Sequence, residues 1–182
     1  MKTTPLPVPH GVFREIQPGR LVIRWSWRHN GKIIAMVGFT LVWNLIMFAW
    51  CYQTDIKWRA LSMNELFPLL FVGIGFFLGY RCLGALLNTT VVAVGPQSVR
   101  VTSGPVPWHR ARVVNALEIR NVIYREKASR GYDSVYRVLA VRSDGTETKL
   151  ITGLTNYEVT VFQVREIRAA LDLPDVALSP DA

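Results

Sequence analysis

Hydrophobic and polar positions along this chain follow three patterns in turn. In FREIQPGRLVIRWSWRHNGK (13–32), Leu21, Ile23, Trp25 and Trp27 alternate with Val22, Arg24, Ser26 and Arg28. That is the period of a strand with one buried face. The same stretch spaces Arg20, Arg24, Arg28 and Lys32 four residues apart, as on an amphipathic helix lying at a membrane surface. Pro18-Gly19 supplies turn chemistry between GVFREIQ and RLVIRWSW, and the content is β-branched and aromatic. We therefore read a strand hairpin, with the arginines on the outer face of its second strand.

The second pattern is continuous. Residues 33–54 contain no charge over 22 positions, and residues 66–87 contain only Arg81. Each run is long enough to cross a hydrocarbon layer of ~30 Å as a helix. Ser62 with Glu65 has capping-box spacing and predicts a helix start near residue 63. Gly75 and Gly79 form a small-xxx-small pair that predicts close approach of the first helix. Asn44, near the middle of the first run, needs a partner for its amide and is assigned to packing between the helices. Arg81 lies about 22 Å along the second helix from Leu66, where its guanidinium reaches headgroups. No second charge lies in the runs to form a relay with it.

From residue 89 the period returns to two, punctuated by turns. TTVVAVG (89–95), SVRVTSG (98–104), ALEIRNVIYREK (116–127), VYRVLAVRS (135–143) and TETKLIT (146–152) read as strands. Asp144-Gly145 marks a two-residue hairpin turn, and a change of phase near Asn121 predicts a bulge. Pro105 and Pro107 keep 104–110 irregular. Thr155 with Glu158 has capping-box spacing, and Val161, Val164, Ile167 and Leu171 form an apolar stripe on a closing helix. With the first hairpin this makes about seven antiparallel strands and a C-terminal helix. The expected fold is membrane α+β: a two-helix transmembrane hairpin inserted in a β-barrel or sandwich. The expected segments are a tail and first hairpin (1–32), helices at 33–54 and 66–88 around an outer loop (55–65), the rest of the β domain (89–172) and a tail (173–182).

Charge then orients the hairpin. Lys2, Arg14, Arg20, Arg24, Arg28 and Lys32 precede the first run against Glu15 alone, whereas Lys57 and Arg59 in the 55–65 loop balance Asp55 and Glu65. Basic residues at span ends favour the cytoplasmic side, so both termini are expected inside, in a multi-pass arrangement. Trp50, Tyr52 and Trp58 would mark the outer interface, and Tyr80 the inner one. The first run begins too late for a cleaved secretory signal and lacks its cleavage site. A net charge of +8 without basic runs interleaved with exposed aromatics fits orientation rather than nucleic-acid binding. Cys51 and Cys82 sit in or at the ends of the runs, without metal-ligand spacing.

The strand and helix order resembles the pleckstrin-homology-like fold. The chain also resembles an uncharacterised group of bacterial inner-membrane proteins with two transmembrane helices and such a β domain. Four short stretches carry that likeness: Leu87-Asn88-Thr89-Thr90, Gly104-Pro105-Val106-Pro107-Trp108, Glu126-Lys127-Ala128-Ser129-Arg130-Gly131 and Thr152-Gly153-Leu154. The resemblance implies an inner-membrane location and assigns no chemistry. Lipid-binding members of the fold concentrate Lys and Arg around the first hairpin turn. Here that turn is Gln17-Pro18-Gly19-Arg20, so their headgroup site does not carry over.

No phosphate loop, dinucleotide fingerprint or nucleophile elbow is present, and His10, His29 and His109 lack partners at metal-binding spacing. No catalytic set, metal or cofactor is expected. The expected function is a non-enzymatic, membrane-anchored interaction module, an accessory or scaffold subunit of an inner-membrane complex. The alternative is recognition of anionic lipid. Candidate contacts for a protein partner, a second copy or membrane lipids are Arg24, Arg28, Trp108, Arg125, Lys127, Arg130 and Tyr132, while Asn44, Gly75, Gly79 and Arg81 are assigned to intramembrane packing.

Overall fold

The computed structural model describes residues 7–27, 32–53, 63–107, 110–127 and 134–174, with residue 32, residues 63–68 and residue 127 described by backbone alone. The chain divides into two compact units. One takes in 1–26, 89–103 and 109–182; the other takes in 27–88 with 104–108.

The first unit is built on strands. Its five-stranded sheet has the order β1 (Val12–Gln17), β2 (Arg20–Ser26), β3 (Thr89–Val94), β4 (Ser98–Gly104) and β5 (Arg112–Asn115). Residues 20–26 form strand β2, with Leu21 and Ile23 buried and Arg24 exposed, but Val22, read as outward-facing, is buried too, so the alternation is incomplete. Gly19 takes φ +70° in the turn before it, a conformation that glycine adopts without steric cost. β2 pairs with β3 in antiparallel register from Leu21↔Val94 to Ser26↔Thr89. Both helical runs therefore lie, in chain order, between two neighbouring strands.

A second sheet follows the order β6 (Ile119–Lys127), β7 (Val135–Arg142) and β8 (Glu147–Leu154). Its register shifts between Ile119 and Asn121, where the sequence changes phase. Asp144 Oδ1 accepts from both the backbone N–H (2.8 Å) and the hydroxyl (2.7 Å) of Thr146 in the β7–β8 turn. The Thr146 hydroxyl, followed by its backbone N–H, holds the Asp144 carboxyl below its ordinary range.

Helix α3 (Tyr157–Ala170) completes the unit, burying Phe162, Val164 and Ile167 in one apolar core with Ile23, Val92 and Val138. Its buried surface is wider than the apolar stripe, taking in Thr160, Gln163 and Arg168 as well. Arg168, itself buried, donates to Asn121 Oδ1 at the register shift of β6 through Nε (3.2 Å) and Nη2 (2.6 Å). Arg14 of β1 meets Glu166 of α3 at 2.8 Å. Burial pushes the Glu166 carboxyl above its ordinary value, with Arg14 pulling the other way.

Three details differ from the sequence reading. Among the described residues there are eight strands, because Arg112–Asn115 forms β5 and Ala116–Glu118 turns as a 3-10 segment before β6. A four-residue strand holding only Val113 and Val114 gives too little alternation to detect. The sheets remain separate rather than closing a barrel. The cap of α3 is Asn156, whose Oδ1 accepts from Glu158 N–H (2.8 Å) and Val159 N–H (3.3 Å), and not Thr155.

The second unit contains α1 (Lys32–Gln53) and α2 (Met63–Leu87). Segments Ile33–Gln53 and Leu69–Leu87 are long and apolar enough to cross a membrane. Cys51 and Cys82 are free thiols.

Candidate functional site

The helical unit concentrates its polar side chains at two places, a seam between the helices and a clasp at the end of α2. The seam uses Thr40 and Asn44, one turn apart on α1. The Thr40 hydroxyl donates to the Met36 carbonyl at 2.8 Å and lies 3.1 Å from Cys82 Sγ. Asn44 Nδ2 donates to the Thr40 carbonyl at 2.8 Å and reaches the Gly75 carbonyl at 3.4 Å. Beside them the Trp43 indole N–H donates to the Phe71 carbonyl at 3.3 Å, and the two rings stack at 5.8 Å.

Gly75 leaves room for the Asn44 side chain. A Cβ there would sit 2.6 Å from Asn44 Oδ1, well inside van der Waals contact. Gly79 behaves otherwise: nothing among the described residues lies within 4 Å of the corresponding position. The close approach assigned to the glycine pair is thus made at Gly75 alone. Arg81 is exposed, as is Phe76 on the same helix.

The clasp centres on Asn88, which is fully buried. Its backbone N–H donates to the Gly84 carbonyl (3.0 Å), and its own carbonyl accepts from Trp27 N–H (3.1 Å). Its side-chain amide pairs with the backbone of Val106 in both directions. Nδ2 donates to the Val106 carbonyl at 3.0 Å, and Val106 N–H donates to Oδ1 at 2.8 Å. One residue on, the Tyr80 hydroxyl donates to the Pro107 carbonyl at 2.5 Å. Asn88 of the stretch 87–90 is thereby joined to Val106 of the stretch that begins at Gly104, two stretches singled out in the sequence. Nothing local in either stretch announces the pairing. The cue available was an Asn directly after an apolar span and a proline-flanked valine that needed partners.

In the β unit, two candidate contacts are already engaged. Arg24 faces Glu15 at 3.7 Å with both side chains about half exposed, and Arg125 bonds Glu147 at 2.6 Å. Arg28, Trp108, Arg130, Tyr132 and the side chain of Lys127 lie outside the described residues, as do His29 and His109. Tyr124, Tyr136 and Tyr157 pack in mutual contact, with ring centroids 5.7 to 6.2 Å apart. A shallow hollow of about 300 Å³ lies between Arg20 and Arg100 at the Gly95–Ser98 turn. Among the described residues no three His, Cys, Asp or Glu side chains converge.

No protein-family model matches this sequence, and no curated protein shows significant similarity to it. The functional reading therefore rests on the geometry above.

Proposed function

We propose that the chain is a non-enzymatic, membrane-anchored interaction module, an accessory or scaffold subunit of a bacterial inner-membrane assembly. In this reading α1 and α2 cross the membrane as a hairpin. The two sheets and α3 form a pleckstrin-homology-like domain on the cytoplasmic side, together with both termini.

One observation supports the membrane anchor in this reading. The most apolar 18-residue windows of the two helices are only 11% and 17% buried, whereas a core helix of a water-soluble domain would be covered on most sides. Ile34, Phe48, Leu70 and Phe76 point outward, while Thr40, Asn44 and Trp43 spend their polar atoms between the helices. That is the distribution hydrocarbon demands. Anionic-lipid recognition stays the alternative: Arg24 and Arg125 lie 3.7 and 2.6 Å from carboxylates, yet both side chains remain about half exposed.

Extraction tests the reading. The full chain should stay with membranes through alkaline carbonate washing. Crosslinking before mild-detergent purification should then recover a defined partner or a homo-oligomer. Release by carbonate would overturn the anchor, and a strictly monomeric chain with no crosslinked neighbour would overturn the interaction role.

A further inference from the structure

A loop beside a helix end is ordinarily satisfied by water, which makes the chemistry of residues 104–107 unusual. Pro105 and Pro107 have no backbone N–H to satisfy. The one N–H between them, that of Val106, donates to Asn88 Oδ1. The Val106 carbonyl accepts from Asn88 Nδ2 and the Pro107 carbonyl from the Tyr80 hydroxyl. The side chains of Tyr80 on α2 and of Asn88 just past its end thus replace water along an irregular stretch of backbone. Outward, the same stretch presents apolar surface: Pro105 and Pro107 are exposed and Val106 is half-buried.

Its level along the helix is fixed by the same bonds. Tyr80 precedes Asn88 by about 12 Å of helix at ~1.5 Å per residue, and the loop is held to both. Within that interval Leu83, Leu86 and Leu87 are 41% to 53% exposed. Exposed leucines at this level belong against acyl chains. Irregular backbone at such a depth is tolerated only where its polar groups are paired internally.

We infer that residues 104–107 form a lipid-contacting wedge, held by Asn88 and Tyr80 at the boundary between headgroups and acyl chains, with Pro105, Val106 and Pro107 facing the bilayer. The inference rests on the membrane reading of α1 and α2. It adds a third point of contact, formed by a segment that neither hydropathy nor length marks as membrane-bound.

The test uses the full chain with Cys51 and Cys82 replaced by alanine, which leaves Thr40 its bond to Met36. A nitroxide is placed at Val106→Cys, at Phe76→Cys on α2, or at Leu117→Cys on the β unit, where Leu117 is 82% exposed. Proteins are reconstituted into phosphatidylcholine–phosphatidylglycerol vesicles. Collision with oxygen is then compared with collision with a water-soluble nickel chelate. Sites 76 and 106 should both favour oxygen, several-fold over site 117, with 106 the shallower. Nickel access at 106 equal to that at 117, with 76 still favouring oxygen, would overturn the wedge alone. Nickel access at 76 would overturn the membrane reading itself. Pro107→Cys gives an independent reading at the same loop should Val106→Cys fail to fold. Asn88→Ala should then move site 106 toward the nickel-accessible value and leave site 76 unchanged; an unmoved site 106 would refute the role given to Asn88.

Discussion

Replacing Gly75 by alanine and comparing it with the same change at Gly79 isolates the contact that sets the helix spacing. Both glycines lie within α2, and alanine is intrinsically preferred at either by about 0.5–1 kcal/mol. Only at position 75 does the new methyl meet resistance, at 2.6 Å from Asn44 Oδ1 and 3.3 Å from Asn44 Cγ. Asn44 cannot simply turn aside, because its amide is held by the Thr40 carbonyl at 2.8 Å. Relief requires the helices to part or the Asn44 side chain to surrender its bonds. Overpacking of this kind costs about 1–3 kcal/mol, and an interhelical hydrogen bond contributes ~0.6 and at most ~1.7 kcal/mol. After the alanine preference is subtracted, Gly75→Ala should destabilise the hairpin by up to about 2.5 kcal/mol, whereas Gly79→Ala should be neutral or stabilise it by up to ~1 kcal/mol. Reversible unfolding by dodecyl sulfate in mixed micelles, followed by circular dichroism, measures both. In an Asn44→Ala background the Gly75→Ala penalty should disappear. Equal effects at the two glycines, or a penalty that survives removal of Asn44, would refute the packing argument.

Two further predictions concern the β unit. Glu166 has its carboxyl raised by burial, so the folded state binds its proton more tightly than the unfolded state does. Its contribution is fully present below the unfolded pKa and is lost as pH rises through the folded one; Glu166→Gln should flatten melting temperature against pH above about 4.3, and parallel curves would contradict this. Asn156→Ala should cost about 1 kcal/mol through loss of the α3 cap, with Thr155→Ala costing less. A larger loss at Thr155 in thermal unfolding would reverse the assignment of the cap.

What the sequence disclosed is what short-range forces decide. The alternation and the Pro18-Gly19 turn led to β2 and not to a surface helix. The Asp144-Gly145 turn and the irregular register near Asn121 had equally local causes. The cap of α3 was missed by one residue, because Thr155 and Asn156 are both competent and backbone geometry chooses between them. β5 was missed because its pairing with β4, Ser98↔Asn115 to Val101↔Arg112, supplies what its short sequence lacks. The clasp was illegible for a different reason. Asn88 and Val106 are brought together by β3 and β4 running out and back between them, and no window of sequence contains both.

The neighbouring of β2 and β3 also sets an order of assembly. Most adjacent antiparallel strands are joined by a few residues, but these two are joined through both helices. A hairpin of two strands is marginal by itself, so β1 and β2 must wait, with one edge of β2 open to mispairing, until residue 89 has been made. Closing so long a connection costs entropy that strand pairing alone repays slowly. In the folded chain the Asn88 carbonyl accepts from Trp27 N–H at 3.1 Å, and the next residues along, Thr89 and Ser26, are partners across β3 and β2. The bond at the foot of the helices thus keeps the same register as the two strands that continue from it.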